Sequence, residues 1–168
     1  MFLRKARFGP IVLATLSVPA ALAQSSPAPD SRPLLVPARA FADAFNSHSL
    51  ALPKGVFLED AAIIDGFSPF RWSGAGSAGH WYSLLMGVDE TPAEHAKRLA
   101  AKQHFELGEP RFMQIEKDGA YLVIPGVLTW VENGIAKKQT GQWVLAEKRI
   151  GDSWLISAHA WAITGETP

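Results

Sequence analysis

Asp65 is a polar side chain in an apolar stretch, where it could take part in chemistry. It follows Ile63 and Ile64 and precedes Gly66 in the segment FLEDAAIIDGFSPFRWSG, residues 57–74. A carboxylate in apolar surroundings is a candidate general base, because desolvation raises its pKa toward neutrality. An Asp-Gly pair is also typical of a turn in which the carboxylate bonds nearby backbone amides. Both interpretations of Asp65 stay open at this point.

His159 and Trp161 are the second pair of residues that could bind a ligand. They lie two positions apart on the predicted last strand, so both side chains point to one face of the sheet. The same spacing predicts Leu155, Ser157 and Ile163 on that face. If it is the inner face, an imidazole and an indole converge on one cavity, as a ligand site requires. The alternative is a core histidine bonded to a neighbouring side chain.

Cofactor and metal chemistry have little support in the sequence. Gly74 to Gly79 spells G-x-G-x-x-G, but a dinucleotide site also needs a parallel strand-helix-strand unit, and the chain continues into hairpins instead. The five histidines show no pair at a spacing of four, and the chain has no cysteine. We therefore expect no cofactor, no metal ion and no disulfide.

The N-terminus predicts export. Arg4, Lys5 and Arg7 precede an apolar stretch that ends in Ala21-Leu22-Ala23, which is the pattern of a signal peptide over residues 1–23. The Pro- and Ser-rich residues 24–37 read as a flexible linker, and one domain is expected over 38–165. The mature protein is expected to be periplasmic or secreted, without membrane association. With 16 basic and 16 acidic residues, nothing favours nucleic acid as a partner.

The predicted elements give an α+β fold in which a curved antiparallel sheet wraps around N-terminal helices. The spacing of Phe41 and Phe45 predicts a first helix, and Thr91-Pro92-Ala93-Glu94 predicts a capping box that starts another. Turn signals at Asp118-Gly119, Asn133-Gly134 and Gly151-Asp152 divide the rest into a meander. Its predicted strands are residues 111–117, 120–132, 136–149 and 153–164. Pro125 predicts a bulge or an edge where the sheet bends.

Residues 57–82 resemble the corresponding segment of bacterial ketosteroid isomerases, which belong to the nuclear transport factor 2-like superfamily. The matching marks are Glu59-Asp60-Ala61, Asp65, Ser73-Gly74 and Tyr82. The C-terminal pattern, from Gly151-Asp152-Ser153-Trp154 to His159-Ala160-Trp161, is similar to SnoaL-like proteins of that superfamily. The resemblance implies a cone-shaped, cystatin-like roll over residues 38–164. It implies function only weakly, because one such pocket serves unrelated tasks.

The resemblance makes Asp65 the candidate general base, but it also shows what is missing. The tyrosine and the protonated aspartate that stabilise the enolate in the isomerases correspond to Phe41 and Ala146 here. A supporting tyrosine is replaced by Phe57, which leaves Tyr82 as the remaining phenol. Because each lost oxyanion donor costs about 10² to 10³ in rate, steroid isomerase activity is not expected.

The sequence thus predicts an exported pocket protein that binds a small, largely apolar molecule. The alternatives are an isomerase, cyclase or dehydratase using Asp65 as base, and a non-catalytic dimeric interaction module. The candidate catalytic residues are Asp65, His159 and Tyr82. The candidate ligand-binding residues are Phe41, Phe67, Trp72, Trp81, Trp130, Ala146 and Trp161. A homodimer through the convex sheet face is expected, with an apolar patch predicted from Trp143, Leu145, Trp154 and Ile156.

Overall fold

The computed structural model describes residues 32–167, which form three α-helices and seven strands after a short 3-10 turn at Arg32–Leu34. The helices are α1 (Leu35–Asn46), α2 (Ser77–Met86) and α3 (Pro92–Ala100). The strands are β1 (Phe57–Ile64), β2 (Arg71–Trp72), β3 (His104–Leu107), β4 (Phe112–Glu116), β5 (Gly119–Glu132), β6 (Ile135–Ile150) and β7 (Ser153–Thr167).

All seven strands belong to one sheet in the order β2-β1-β7-β6-β5-β3, with β4 also paired to β5. The pairs from β5 through β7 are antiparallel, as predicted. The predicted antiparallel sheet is mixed at one pair, because β1 lies parallel to β7. This pairing joins strands that are far apart in sequence, so no hairpin signal announces it. The expected α+β architecture is otherwise confirmed.

Helix α1 lies against the inner face of the sheet and begins earlier than predicted. The linker prediction over 24–37 was wrong at its end, because residues 32–37 are ordered into the helical segment and Leu34 and Leu35 are only 1% and 6% exposed. Phe41 and Phe45, one turn apart, extend the same buried face. The predicted signal peptide, residues 1–23, and the linker up to residue 31 lie outside the described residues.

Local signals fixed several boundaries correctly. Thr91 caps α3 by accepting from the Glu94 amide, while the Glu94 carboxylate accepts from the Thr91 amide, which completes the predicted capping box. Asn133 and Gly134 have φ angles of 52° and 79°, so both adopt the left-handed conformation that a tight hairpin turn requires. The preceding turn lies one residue earlier than predicted, at Lys117-Asp118.

Strand β7 contains an irregularity that reverses the predicted faces. Ala158 pairs with Ala146 but Ile156 pairs with Glu147, so Ser157 is an extra residue in β7. Ile156 and His159 consequently both face the core, at 0% and 5% exposed. The predicted placement of Leu155 and Ser157 on the face of His159 was therefore wrong.

The apolar patch predicted on the convex face is also incorrect. Trp143, Leu145 and Ile156 are at most 2% exposed and belong to the core, while Trp154 is half-buried and packs against it. Pro125 makes no bulge in the β5–β6 ladder, whose register is continuous. It lies where the neighbour of β5 changes from β4 to β3, so its missing N–H costs no ladder bond there.

None of the helices in residues 32–167 is long and apolar enough to cross a bilayer. The same residues contain no group of three or more acidic or histidine side chains arranged to hold a metal ion.

Candidate functional site

A cavity of about 90 Å³ lies between the inner face of the sheet and helices α1 and α2. Its wall is almost entirely apolar and aromatic, and of the described residues that line it only Asp65 and His159 are ionisable. The lining residues are Phe41, Phe45, Asp65, Trp81, Leu85, Phe105, Leu128, Trp143, His159 and Trp161. A mostly apolar hollow with a few converging polar groups is the usual form of a small-molecule site.

Asp65 lies directly after the end of β1 and is half-buried. Its Oδ2 accepts a hydrogen bond from Trp81 Nε1 at 2.9 Å, and its Oδ1 accepts from the Gly66 amide at 2.6 Å. Burial raises the pKa of Asp65, although both hydrogen bonds oppose that rise. The two interpretations of Asp65 therefore coexist, since it bonds a turn amide and also presents a desolvated carboxyl group to the cavity.

His159 faces the cavity from β7 and is 5% exposed. Its Nδ1 accepts a hydrogen bond from Trp143 Nε1 at 2.9 Å, and its ring lies 4.6 Å from that of Trp81. Burial lowers the pKa of His159 to about 3, so the ring stays neutral at physiological pH. His159 therefore has the hydrogen-bonded neighbour expected of a core histidine, and it also lies on the cavity wall.

Trp161 forms one wall of the cavity because the sheet beneath it carries glycines. A Cβ at Gly141 would overlap the Trp161 indole, and one at Gly126 would lie 3.1 Å from its Cζ3. Gly126 and Gly141 are paired across β5 and β6, so they make one flat depression for the ring. The Trp161 Nε1 donates to Gln139 Oε1 at 2.9 Å, which fixes the far edge of the ring.

A side-chain clamp joins α1 to β3 beside the cavity. Asn46 Nδ2 donates to the Phe105 carbonyl at 2.9 Å, and the Phe105 amide donates to Asn46 Oδ1 at 2.7 Å. Asn46 thus makes the two hydrogen bonds to the Phe105 backbone that a neighbouring strand would otherwise make. The Phe105 ring lines the cavity and lies 5.5 Å from that of Trp161. The short strand β3 is held in place by this contact as well as by its pairing with β5.

Five of the residues selected from the sequence lie on the cavity wall: Asp65, His159, Phe41, Trp81 and Trp161. Phe67 and Trp72 do not line it, but contact each other beside the β1–β2 turn, with tilted rings whose centroids lie 5.0 Å apart. Trp130 lines a separate surface groove between α3 and the β5–β6 hairpin. Their assignment to the pocket was therefore wrong.

Tyr82 and Ala146 also lie away from the cavity wall. The Tyr82 side chain is buried, and its hydroxyl donates to the Ser49 carbonyl at 2.9 Å. Burial raises the pKa of that phenol. Ala146 pairs with Tyr121 and Ala158, and its side chain lies on the sheet face turned away from the helices. Because successive side chains of a strand point to opposite faces, the match of Ala146 to the isomerase aspartate is wrong by an odd number of residues. Ala146 therefore does not line this cavity.

Half of the cavity wall was missed in the sequence. Phe45 lies one helical turn from Phe41, and this period could have revealed it. Trp143 alternates with Leu145 on β6, but its face could be assigned only after the irregularity at Ser157 was known. Phe105, Leu85 and Leu128 carry no such signal, because nonlocal packing brings them together.

Glu147 is a second buried carboxyl group, on β6 and away from the cavity. Its side chain faces inward and is 3% exposed, and neither carboxyl oxygen has a hydrogen-bond partner among the described residues. Burial raises its pKa to about 8, so the group is mostly protonated at neutral pH. An uncompensated buried carboxyl group makes a contribution to stability that depends on pH.

No family model and no curated protein sequence matches the chain. Solved structures do match it. One is a nuclear transport factor 2-like protein with a cystatin-like fold from Novosphingobium aromaticivorans, at 15% identity and a TM-score of 0.63, covering 80% of this chain and 82% of that one. Another is a nuclear transport factor 2-like superfamily protein from Salmonella enterica serovar Typhimurium, at 16% identity and a TM-score of 0.60, covering 82% and 93%.

A third match is a hexachlorocyclohexane dehydrochlorinase, at 9% identity and a TM-score of 0.63, covering 82% of this chain and 86% of that one. At such low identities the likeness establishes the fold alone. The cone-shaped, cystatin-like architecture expected from the sequence is thereby confirmed, and the function has to be argued from the cavity.

Proposed function

We propose that this chain, whose fold is that of the nuclear transport factor 2-like proteins, is an exported pocket protein that binds a small, largely apolar molecule. The observation that carries the proposal is the aromatic cavity with Asp65 and His159 as its polar points. The export rests on the N-terminal sequence pattern described above.

The size of the cavity argues against a steroid as the ligand. At about 90 Å³ it is well below the roughly 300 Å³ at which pockets for drug-sized ligands begin. Phe41 stands on its wall without a hydrogen-bond donor, and the Tyr82 hydroxyl is already bonded to Ser49. Because an oxyanion donor is typically worth about 10² to 10³ in rate, steroid isomerisation would lack its main electrostatic support.

Thermal-shift screening with small hydrophobic compounds tests the binding function, because a ligand that binds only the folded state raises the melting temperature. Leu85→Phe places extra volume in the cavity wall and should abolish the shift. Its neighbour Leu84 is 45% exposed and lies outside the wall, so Leu84→Phe is the matched control and should retain the shift. Equal shifts in both variants would place binding elsewhere.

An enzyme that uses Asp65 as general base is the second candidate. The desolvated carboxyl group favours it, because a base with a raised pKa is better matched to neutral pH. The structural match to a dehydrochlorinase shows that this fold accommodates an elimination reaction in another protein. With a turned-over substrate in hand, Asp65→Asn should reduce kcat by about 10² to 10⁴. Unchanged turnover would remove Asp65 from the mechanism.

We also propose that the protein forms a homodimer through the outer face of the sheet, which is the face turned away from α1 and α2. Such a dimer is equally compatible with a non-catalytic interaction module. The register aligns an apolar row across five strands: Ile64, Ala160, Val144, Val123 and Phe112. Ile64 and Phe112, at the two ends of this row, are 57% and 51% exposed. An exposed apolar row in the middle of a sheet face is typical of an interaction surface.

Sedimentation velocity tests the dimer. Val144→Lys introduces a charge at the centre of the row and should yield monomers. Ile135→Lys changes an exposed apolar residue at the start of the same strand but on its other face, and should not. A monomeric unmodified protein at high concentration would contradict the proposed interface.

A further inference from the structure

The hydrogen bond between Trp143 and His159 fixes which nitrogen of the imidazole carries the proton. An indole N–H can only donate, so His159 Nδ1 must accept. A neutral imidazole has one acceptor and one donor nitrogen, and Nδ1 is the acceptor here. Nε2 therefore carries the ring proton.

This Nε2–H group has no hydrogen-bond partner among the described residues, although the side chain is 95% buried. Buried donors in folded proteins are almost always satisfied, by protein or by ordered water. A water held here would find few partners, because it needs two to four polar groups and the described wall is otherwise apolar except for Asp65. The Nε2 atom itself has almost no exposed surface, so an incoming molecule satisfies this donor only when the cavity wall beside it moves.

Charge selects further among ligands. No lysine or arginine stands among the described residues that line the cavity, and its one acidic group is Asp65. An anion would be desolvated beside that carboxyl group with no positive partner, which is costly. Both Asp65 oxygens already accept hydrogen bonds, from Trp81 and Gly66, so Asp65 does not need a donor from the ligand.

We propose that the molecule bound in this cavity is an uncharged compound with one hydrogen-bond acceptor, such as a small ketone, aldehyde or ester, whose oxygen accepts from His159 Nε2–H. This inference rests on the proposed binding function and narrows it to a ligand class. The rest of the molecule contacts the aromatic wall.

The volume sets the size of a suitable probe. A cavity of about 150 Å³ lined by apolar side chains is known to hold benzene, and this one is smaller, at about 90 Å³. The cavity is open to solvent on one side, so cyclopentanone, an uncharged ketone with as many non-hydrogen atoms as benzene, need not be enclosed completely. Methylenecyclopentane has nearly the same shape without the oxygen, and tetramethylammonium is a compact cation that tests the aromatic wall for cation binding.

Competition and direct titration with the three probes, on the purified protein, test the inference. Cyclopentanone should bind about tenfold more tightly than methylenecyclopentane, as expected for a ligand that satisfies a buried donor. Equal affinities, or tighter binding of the hydrocarbon or of the cation, would overturn the inference while leaving a functional pocket. If no probe binds, the proposed binding function itself fails.

A paired variant isolates the donor. Replacing both His159 and Trp143 with Phe removes the N–H donor without leaving the indole nitrogen unpartnered. This double variant should bind both ring compounds equally, because only the ketone loses a hydrogen bond. A preserved tenfold preference would overturn the role of His159.

A spectroscopic measurement on the unmodified protein decides the same point if the double variant does not fold. In ¹⁵N-histidine spectra, His159 should show a proton on Nε2 that shifts on addition of cyclopentanone and not on addition of methylenecyclopentane. A proton on Nδ1, or identical responses to the two probes, would contradict the inference.

Discussion

The Trp143 Nε1 donates to His159 Nδ1 at 2.9 Å inside the core, so Nδ1 is the ring nitrogen without a proton. Burial lowers the pKa of His159 to about 3, against about 6.5 in an unfolded chain. Between these values the unfolded chain binds a proton that the folded protein does not. Stability should therefore fall as the pH is lowered from 6.5 toward 3, by up to about 1.4 kcal/mol per pH unit.

His159→Gln tests this prediction, because glutamine offers Trp143 an acceptor and does not titrate. Urea unfolding at a series of pH values from 7 to 4 should show the variant losing less stability than the unmodified protein as the pH falls. A difference in the free energy of unfolding that is independent of pH would contradict the assignment.

Glu147 should produce a pH dependence of opposite sign. Burial raises its pKa to about 8, from the ordinary value of 4.5, so the folded protein retains a proton that the unfolded chain has lost. Stability should fall as the pH rises from 4.5 to 8, again by up to about 1.4 kcal/mol per pH unit. Glu147→Gln should remove this loss and be the more stable protein at pH 8.

The exposed Glu132 supplies the control for that measurement. Glu132→Gln should leave the pH dependence of unfolding close to that of the unmodified protein. If Glu147→Gln behaves like Glu132→Gln at pH 8, the Glu147 carboxyl group is either solvated or paired in solution.

The sequence predicted those parts of the fold that local chemistry determines. Thr91 and Glu94 specify the start of α3, and Asn133-Gly134 specifies the turn of the β5–β6 hairpin. The parallel pairing of β1 with β7 was missed, because it depends on contacts between residues about 95 positions apart, such as Ile63 and His159, and not on a turn.

Residues of the candidate site were predicted correctly only where it was enough to know on which face of one strand the side chain lies. Asp65 and His159 were found from their residue types and their apolar surroundings. Trp143 was placed on the wrong face because one extra residue, Ser157, reverses the alternation along β7. A shift by one residue also explains the error at Ala146. Matching to the isomerases placed this residue in the pocket, but in the sheet it lies on the outer face.

Gly141→Ala should disrupt the cavity. The added Cβ overlaps the Trp161 indole, which would have to move off the sheet toward the cavity. Overpacking of this kind typically costs about 1 to 3 kcal/mol, and ligand binding should be lost with it. Thermal unfolding and a binding assay on the same samples measure both effects.

Gly79→Ala is the matched control. Gly79 lies inside α2, and a Cβ there meets nothing within 4 Å. Because alanine is favoured over glycine in a helix by up to about 1 kcal/mol, this variant should be slightly more stable and should bind normally. Similar behaviour of the two variants would contradict the contact between Gly141 and Trp161.

Asn46→Ala should loosen β3. It removes two hydrogen bonds to the Phe105 backbone, at 2.9 and 2.7 Å, and leaves a half-buried amide and carbonyl without their partner. A loss of about 1 to 3 kcal/mol is expected, together with faster hydrogen exchange of the Phe105 amide. Unchanged exchange would show that the pairing of β3 with β5 alone holds the strand.

The six tryptophans provide the most direct test of the binding cavity, since three of their indole groups line it and three do not. The measurement is a ¹⁵N–¹H correlation spectrum of the indole Nε1–H groups during titration with a small apolar ligand. We predict shifts for Trp81, Trp143 and Trp161, with Trp72, Trp130 and Trp154 unchanged. Shifts confined to Trp72, Trp130 and Trp154, or no shifts with any ligand that stabilises the protein, would contradict the proposed binding cavity.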